Sequence, residues 1–342
     1  MDAPKELVEA ASQLKRGKKQ DPVTTRQLLS WFGAQRRGYY VMQALHAALD
    51  SVGLQTDPNF ENVYIDAPIR FIAKPAKSAK EAAACNDAVL APAPFVPDPT
   101  PRVGLLPSAN ATPLSVKPTQ TVQEAVTLML THDYSQLPVM DGERALKGVI
   151  SWASVGRHLA LGLKCTQVRE CMDAPHVINN DSPLFAAIET IVSHDYVLVQ
   201  LSDKRIGGIV TTADLSLHVR QLAEPFLLIG EIENHIRRLI HRKFVKEDLE
   251  KVRDPASNSR VIEDVHDLNF GEYIRLLEQP ESWSKLKLDL DRTIFIRALG
   301  DVRLIRNSVM HFDPDPLPEE DIKKLREFVK MMQVLRQTRV II

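Results

Sequence analysis

The sequence predicts an α+β, multidomain chain, and three observations carry that prediction. Near the start, helically spaced apolar residues give way to a β-type pair, Val63 and Ile65. In the middle, one helix-and-strand pattern occurs twice, with a period of about sixty residues. From Ala223 onward the strand signals stop and only helical periodicity remains. A chain of 342 residues is long enough for about two or three domains.

Residues 1–72 read as a small helical unit ending in a strand. Leu7, Ala11 and Leu14 mark a first helix. Thr24 and Gln27 have capping-box spacing, and Leu28, Leu29, Trp31 and Phe32 follow as an apolar face that Gly33 ends. A further helix carries Val41, Leu45, Leu49 and Val52 and stops at Gly53. Helix, tight turn, helix and strand in this order resembles a winged-helix domain, with Arg36 and Arg37 in the turn. Such a unit could touch DNA or RNA, or dock a protein partner with both arginines solvated. Residues 73–101 are rich in Ala, Pro and Lys, read as a linker and set a domain boundary.

The duplication follows over 102–222. Pro118-Thr119-Gln120-Thr121 leads into a helix with Ala125 and Val126, then His132-Asp133-Tyr134. Later, Asn180-Asp181-Ser182-Pro183 leads into a helix with Ala187 and Ile188, then His194-Asp195-Tyr196. Each copy continues with two strands, Leu137–Met140 and Leu146–Ile150 or Val197–Leu201 and Arg205–Val210. The pattern resembles a tandem CBS pair. The second copy ends Gly208-Ile209-Val210-Thr211-Thr212-Ala213-Asp214, which is similar to that family's Gly-h-h-Thr-x-x-Asp motif for ribose and phosphate. The resemblance implies an adenine-nucleotide site comprising Thr211, Asp214, Gly208, Val197 and Ile178. Thr211 and Asp214 could equally be an N-cap pair opening the next helix, and both roles can hold together. The first copy has Ser154 where the family places Asp, and a serine accepts less well than a carboxylate from two ribose hydroxyls. One nucleotide per chain is expected.

Residues 223–342 read as all-helical. Pro225 is expected to open a helix with Leu228, Ile232, Ile236, Leu239 and Ile240 on one face. Tyr273, Leu276 and Leu277 mark another. A third runs from about Asp291 into Arg306-Asn307-Ser308-Val309-Met310-His311, and a last one follows Leu317-Pro318-Glu319. Asn307 and His311, four apart, share one helix face. The string resembles the Arg-Asn-x-x-x-His signature of HEPN domains, many of which are ribonucleases, and Glu231-Ile232-Glu233-Asn234 resembles the acidic start of their helices. The resemblance implies metal-independent RNA cleavage at a two-fold dimer cleft. Arg306 would neutralise phosphate, His311 would move a proton, Asn307 would hold the imidazole or a phosphate oxygen, and Glu233 would orient Arg306. The rival reading is that Arg306 and His311 only cap a helix C-terminus.

A net charge of −1 excludes a general polyanion binder, so any nucleic-acid surface must be local. Cys85, Cys165 and Cys171 form no ligand-type cluster, and three thiols cannot all pair; no metal site is expected. No apolar run suggests a signal peptide or membrane span, so a cytoplasmic location is expected. Together these features predict a nucleotide-regulated endoribonuclease acting on RNA as a homodimer. The alternative is a non-catalytic nucleotide-sensing adaptor that binds RNA, DNA or a protein.

Overall fold

The computed structural model describes residues 3–17, 20–74, 100–255, 260–310 and 315–338. Its chain divides into two units, Met1–His218 and Val219–Ile342. Most of the expected linker, residues 75–99, lies outside the described residues, as does Cys85.

The first unit starts with helix α1 (Lys5–Lys15), strand β1 (Val23–Thr24) and helix α2 (Thr25–Ser30). The capping box is formed: Gln27 N donates to Thr24 Oγ1 at 3.1 Å, and Thr24 N donates to Gln27 Oε1 at 2.9 Å. Helix α3 (Tyr39–Val52) ends at Gly53, whose φ of 71° lies in the left-handed region that glycine enters without strain. Strands β2 (Leu54–Asp57) and β3 (Pro68–Ala73) complete an antiparallel sheet in the order β1-β3-β2. Val63 and Ile65 are not a strand. They lie in the loop before β3, with their side chains buried in the helix core. Alternation of two apolar residues cannot separate a strand from a loop that dips into the core.

Arg37 is a second correction. It is 4% exposed and donates from Nη1 to the carbonyls of Phe60, Glu61 and Val63 at 2.7, 3.1 and 2.8 Å. It holds that same loop in place and is no solvated turn residue. Each carbonyl would otherwise be buried and under-satisfied.

Each repeat then builds its own small sheet. The first has α4 (Val122–His132), β4 (Gln136–Met140), β5 (Leu146–Ser151) and α5 (Trp152–Ala160), with Val116 bridging to Val139. The second has β6 (Val177–Asn179), α6 (Leu184–His194), β7 (Tyr196–Gln200) and β8 (Ile206–Thr211). Strand β6 runs parallel to β7, and β8 runs antiparallel to it. Each repeat has its own apolar core, and Met140, Val149, Leu198 and Ile206 join the two. The repeated His-Asp-Tyr strings serve helix ends: Asp133 and Asp195 take φ of 56° and 66° after α4 and α6. A short polar side chain tolerates that left-handed position. Cys165 and Cys171 are bonded to each other across a six-residue separation.

Helix α7 (Thr212–Ile240) begins directly after β8 and does not begin at Pro225, which sits inside it. The proline lacks the N–H that would reach back to Gln221, a local loss the rest of the helix tolerates. The second unit continues with α8 (Lys246–Glu250), α9 (Phe270–Glu278), α10 (Pro280–Leu286), α11 (Arg292–Met310) and α12 (Glu319–Gln337). Their apolar stripes form one core, including Ile236, Tyr273, Leu299 and Leu325. Asp291 caps α11, accepting from Ile294 N at 2.8 Å, and the acids Glu319, Glu320 and Asp321 open α12. Among the described residues no helix is long and apolar enough to cross a membrane.

Candidate functional site

The second repeat's motif sits at the junction of β8 and α7. Asp214 Oδ2 accepts from Thr211 N at 2.8 Å and from Thr211 Oγ1 at 2.6 Å. Thr211 Oγ1 accepts from Asp214 N at 3.3 Å. The cap pairing expected from the spacing therefore exists. It uses one carboxylate oxygen and leaves Oδ1 of a half-buried acid without a hydrogen-bond partner among the described residues.

Thr211 also lines a cavity of about 360 Å³ within the first unit. Ile209 stands beside it on β8. The opposite wall comes from the first repeat, through residues 111–114 and 133–137. Leu114, Leu137 and Ile209 supply apolar surface, while Thr112, Ser135 and Thr211 supply polar groups. This mixture suits a flat apolar ring attached to a polar sugar.

The other expected site residues have different places. Val197 is fully buried in the second repeat's core, with Ile178 packed against that cluster, and neither lines the cavity. Gly208 is a close approach of backbones: a Cβ there would lie 1.9 Å from the Ser108 carbonyl oxygen. Ile209 and Thr211 of β8 line the cavity, whereas Val197 on β7 and Ile178 on β6 belong to the core, because side-chain direction alternates along a strand.

The quasi-equivalent position in the first repeat is closed. Ser154 is fully buried. Its Oγ accepts from Ser151 N at 2.9 Å and donates to the Ser151 carbonyl at 3.0 Å. Its proton and one lone pair are engaged by the helix cap. On the second repeat's side, the His176 and His194 rings stack 3.5 Å apart. Burial and the neighbouring His194 charge hold His176 below the ordinary histidine range. Burial pushes Tyr196 up to about 12, with the Asp173 charge adding to the effect.

In the second unit, Arg306 and Asn307 lie in the last turns of α11. His311 lies outside the described residues, one position past the end of that helix. Arg306 is half-buried, and its Nε has no hydrogen-bond partner among the described residues. Asn307 is exposed. Glu233 does not orient Arg306. It accepts from Arg237 Nη2 at 2.7 Å, one helical turn away, and Arg237 Nε donates to Tyr273 Oη at 2.9 Å. An arginine four residues along the same helix is the nearer partner by geometry. Burial raises the Tyr273 phenol, which donates to the Val265 carbonyl at 3.2 Å.

Residues 109–160 match the CBS domain family. The sequence is 30% identical over 145 residues, 39% of this chain, to an A-adding tRNA nucleotidyltransferase from Geobacter sulfurreducens. The aligned part is 16% of that relative. Among solved structures, the chain is similar to an uncharacterised conserved protein from Pyrococcus horikoshii, at 25% identity, covering 36% of this chain and 96% of that one, with a TM-score of 0.32. It is also similar to CBSX2 in complex with AMP, at 22% identity, covering 34% and 96%, with a TM-score of 0.30. The chain thus carries a CBS domain, embedded in a mixed α and β architecture.

Proposed function

We propose that the chain is a nucleotide-regulated, metal-independent endoribonuclease that works as a two-fold dimer. The observation that carries the sensing half is the free Oδ1 of Asp214, whose hydrogen-bond partner Thr211 lines a cavity. A carboxylate accepts both ribose hydroxyls of an adenine nucleotide, and the N-terminus of α7 favours its phosphate. Ser154, fully buried and bonded within its own helix cap, accounts for one site per chain.

The cleavage half rests on Arg306-Asn307-x-x-x-His311 at the end of α11. The RNA 2′-hydroxyl attacks the adjacent phosphorus and gives up its proton to a base. The 5′-oxygen leaves with a proton from an acid, and a 2′,3′-cyclic phosphate remains. His311 moves one of these protons, Arg306 neutralises the phosphorane, and Asn307 fixes the imidazole or a phosphate oxygen. One motif has one imidazole, so a two-fold partner supplies the second. The all-helical second unit supports a HEPN-like reading. The order α1-β1-α2-α3-β2-β3 with its three-stranded sheet supports a winged-helix-like first domain.

The test is cleavage of labelled RNA by the full chain with chelator present. Cyclic-phosphate ends from wild type, and none from Arg306→Ala/His311→Ala, are expected. Loss of cutting on chelation would overturn the mechanism. Nucleotide binding with no cutting at all would instead make the chain a sensing adaptor.

A further inference from the structure

A second feature of the helical unit lies outside the Arg306 motif. Two adjoining cavities, of about 420 and 550 Å³, run along α7 and share Asn234, His235, Arg238 and Arg336. The larger adds Arg237, His241 and His266. Phe226 and Leu227 line the far end of the smaller one, and Leu227 is 71% exposed.

The charge balance favours an anion. Arg238 and Arg336 have no acidic partner among the described residues, and both are exposed. Arg237 is held in place by Glu233 and Tyr273. The acid lining the smaller cavity, Glu231, is already engaged. Its Oε1 accepts from Gln333 Nε2 at 2.7 Å and lies 3.5 Å from His235 Nε2. His235 is 7% exposed, so the floor of the groove is built rather than draped over the surface.

The shape favours a strand over a single small anion. From Phe226 to Ile240 the helix rises about 21 Å, and a stacked strand advances about 3.4 Å per nucleotide, so about six nucleotides fit along it. Arg237, Arg238 and Arg336 suit phosphates, and the Phe226–Leu227 end offers apolar surface to a base.

We propose that this groove binds the phosphodiester backbone of single-stranded RNA, delivering it to the chain independently of the residues that cut. The inference rests on the RNA reading above. Its test is binding of a short, labelled 2′-O-methyl RNA to the full chain across a salt series. Such a strand has no free 2′-hydroxyl to attack, so binding is read whether or not the chain is a nuclease. Each backbone contact contributes about 0.7 to the slope of log affinity against log salt. Arg238→Ala/Arg336→Ala should lower that slope by about 1.4 and weaken binding about tenfold or more. Arg238→Lys/Arg336→Lys should keep most of the slope, and both variants should melt like wild type.

Unchanged affinity and slope in the alanine variant would overturn the inference, as would equal competition by polyglutamate. RNA cutting that is indifferent to these two arginines would overturn it while leaving the nuclease reading intact. Salt-dependent binding through them without any cutting would do the reverse.

Discussion

Asp214 and Ser154 occupy matching positions, and their hydrogen bonds separate them. Asp214 keeps a free oxygen after capping its helix, whereas Ser154 has none. Asp214→Ala should remove charge-assisted bonds of about 1.5–3 kcal/mol each and weaken adenine-nucleotide binding at least about tenfold. Asp214→Asn keeps the cap acceptor but puts an NH2 donor in place of Oδ1, so its loss reports the ribose acceptor and the charge without the cap. Ser154→Ala should cost about 1 kcal/mol of stability through its cap and leave affinity unchanged. Calorimetry showing equal affinity losses for Asp214→Ala and Ser154→Ala would contradict the asymmetry. A second prediction concerns pH. Burial, then the His194 charge, depresses His176. A histidine depressed in the fold contributes stability that is fully present above its unfolded pKa and is lost as pH falls through the folded one. The thermal midpoint of the first unit should therefore drop on acidification below about pH 6.5, and less steeply in His176→Phe. Parallel acid limbs for the two proteins would refute this. The Thr-x-x-Asp motif was legible because its geometry is local. Arg37 was not: its three carbonyl partners lie more than twenty residues away. Nothing at its own position distinguishes it from a solvated arginine.

Helix starts show how one local signal yields different energetics. Glu124 and Glu272 each close a capping box, on α4 and α9. Glu124 is exposed, and bonds from Thr121 hold its carboxyl below the usual range. Glu272 is fully buried. It accepts from Asn269 N at 2.7 Å and Asp254 N at 2.8 Å, and it pairs with Arg260. Its carboxylate thus pins the segment before α9 as well as the helix itself. Glu124→Ala should cost little, as loss of an exposed cap does. Glu272→Ala should cost about 3 kcal/mol or more, because buried donors and Arg260 lose their acceptor. Denaturant midpoints decide it, and equal losses would show that burial adds nothing. Both boxes are visible as sequence spacing, but which one is buried depends on Asp254 and Arg260 meeting the Glu272 carboxylate. Pro225 misled for the converse reason. Its preference for a first turn is real, yet helical residues on both sides outweighed the missing bond.

At the scale of the whole chain, the duplication was legible because repetition is a property of sequence, and the closing helices because 3.6-residue spacing persists through them. The groove on α7 was not legible. It joins Asn234 to Arg336, a hundred residues apart, and only the packing of α12 brings them together. The same helix carries the last prediction. Thr211 lies immediately before α7, Asp214 lies in its first turn, and Arg237 and Arg238 lie in its last. A nucleotide held by Asp214, as proposed, would add contacts at the point where this helix begins. An effector shifts an equilibrium only by its differential affinity for the two states, and typical couplings are about 1–3 kcal/mol, or about 5–150-fold. We therefore expect saturating adenine nucleotide to change the proposed RNA cleavage rate of the wild-type protein within about that range. The change should be absent in Asp214→Ala, because the ligand no longer binds. It should persist in Ser154→Ala, whose position offers the ligand nothing. Rates measured with and without nucleotide on the three proteins settle the matter. A response that survives in Asp214→Ala would place the sensor elsewhere. Identical rates in wild type would mean that nucleotide binding and cleavage are separate properties of one chain.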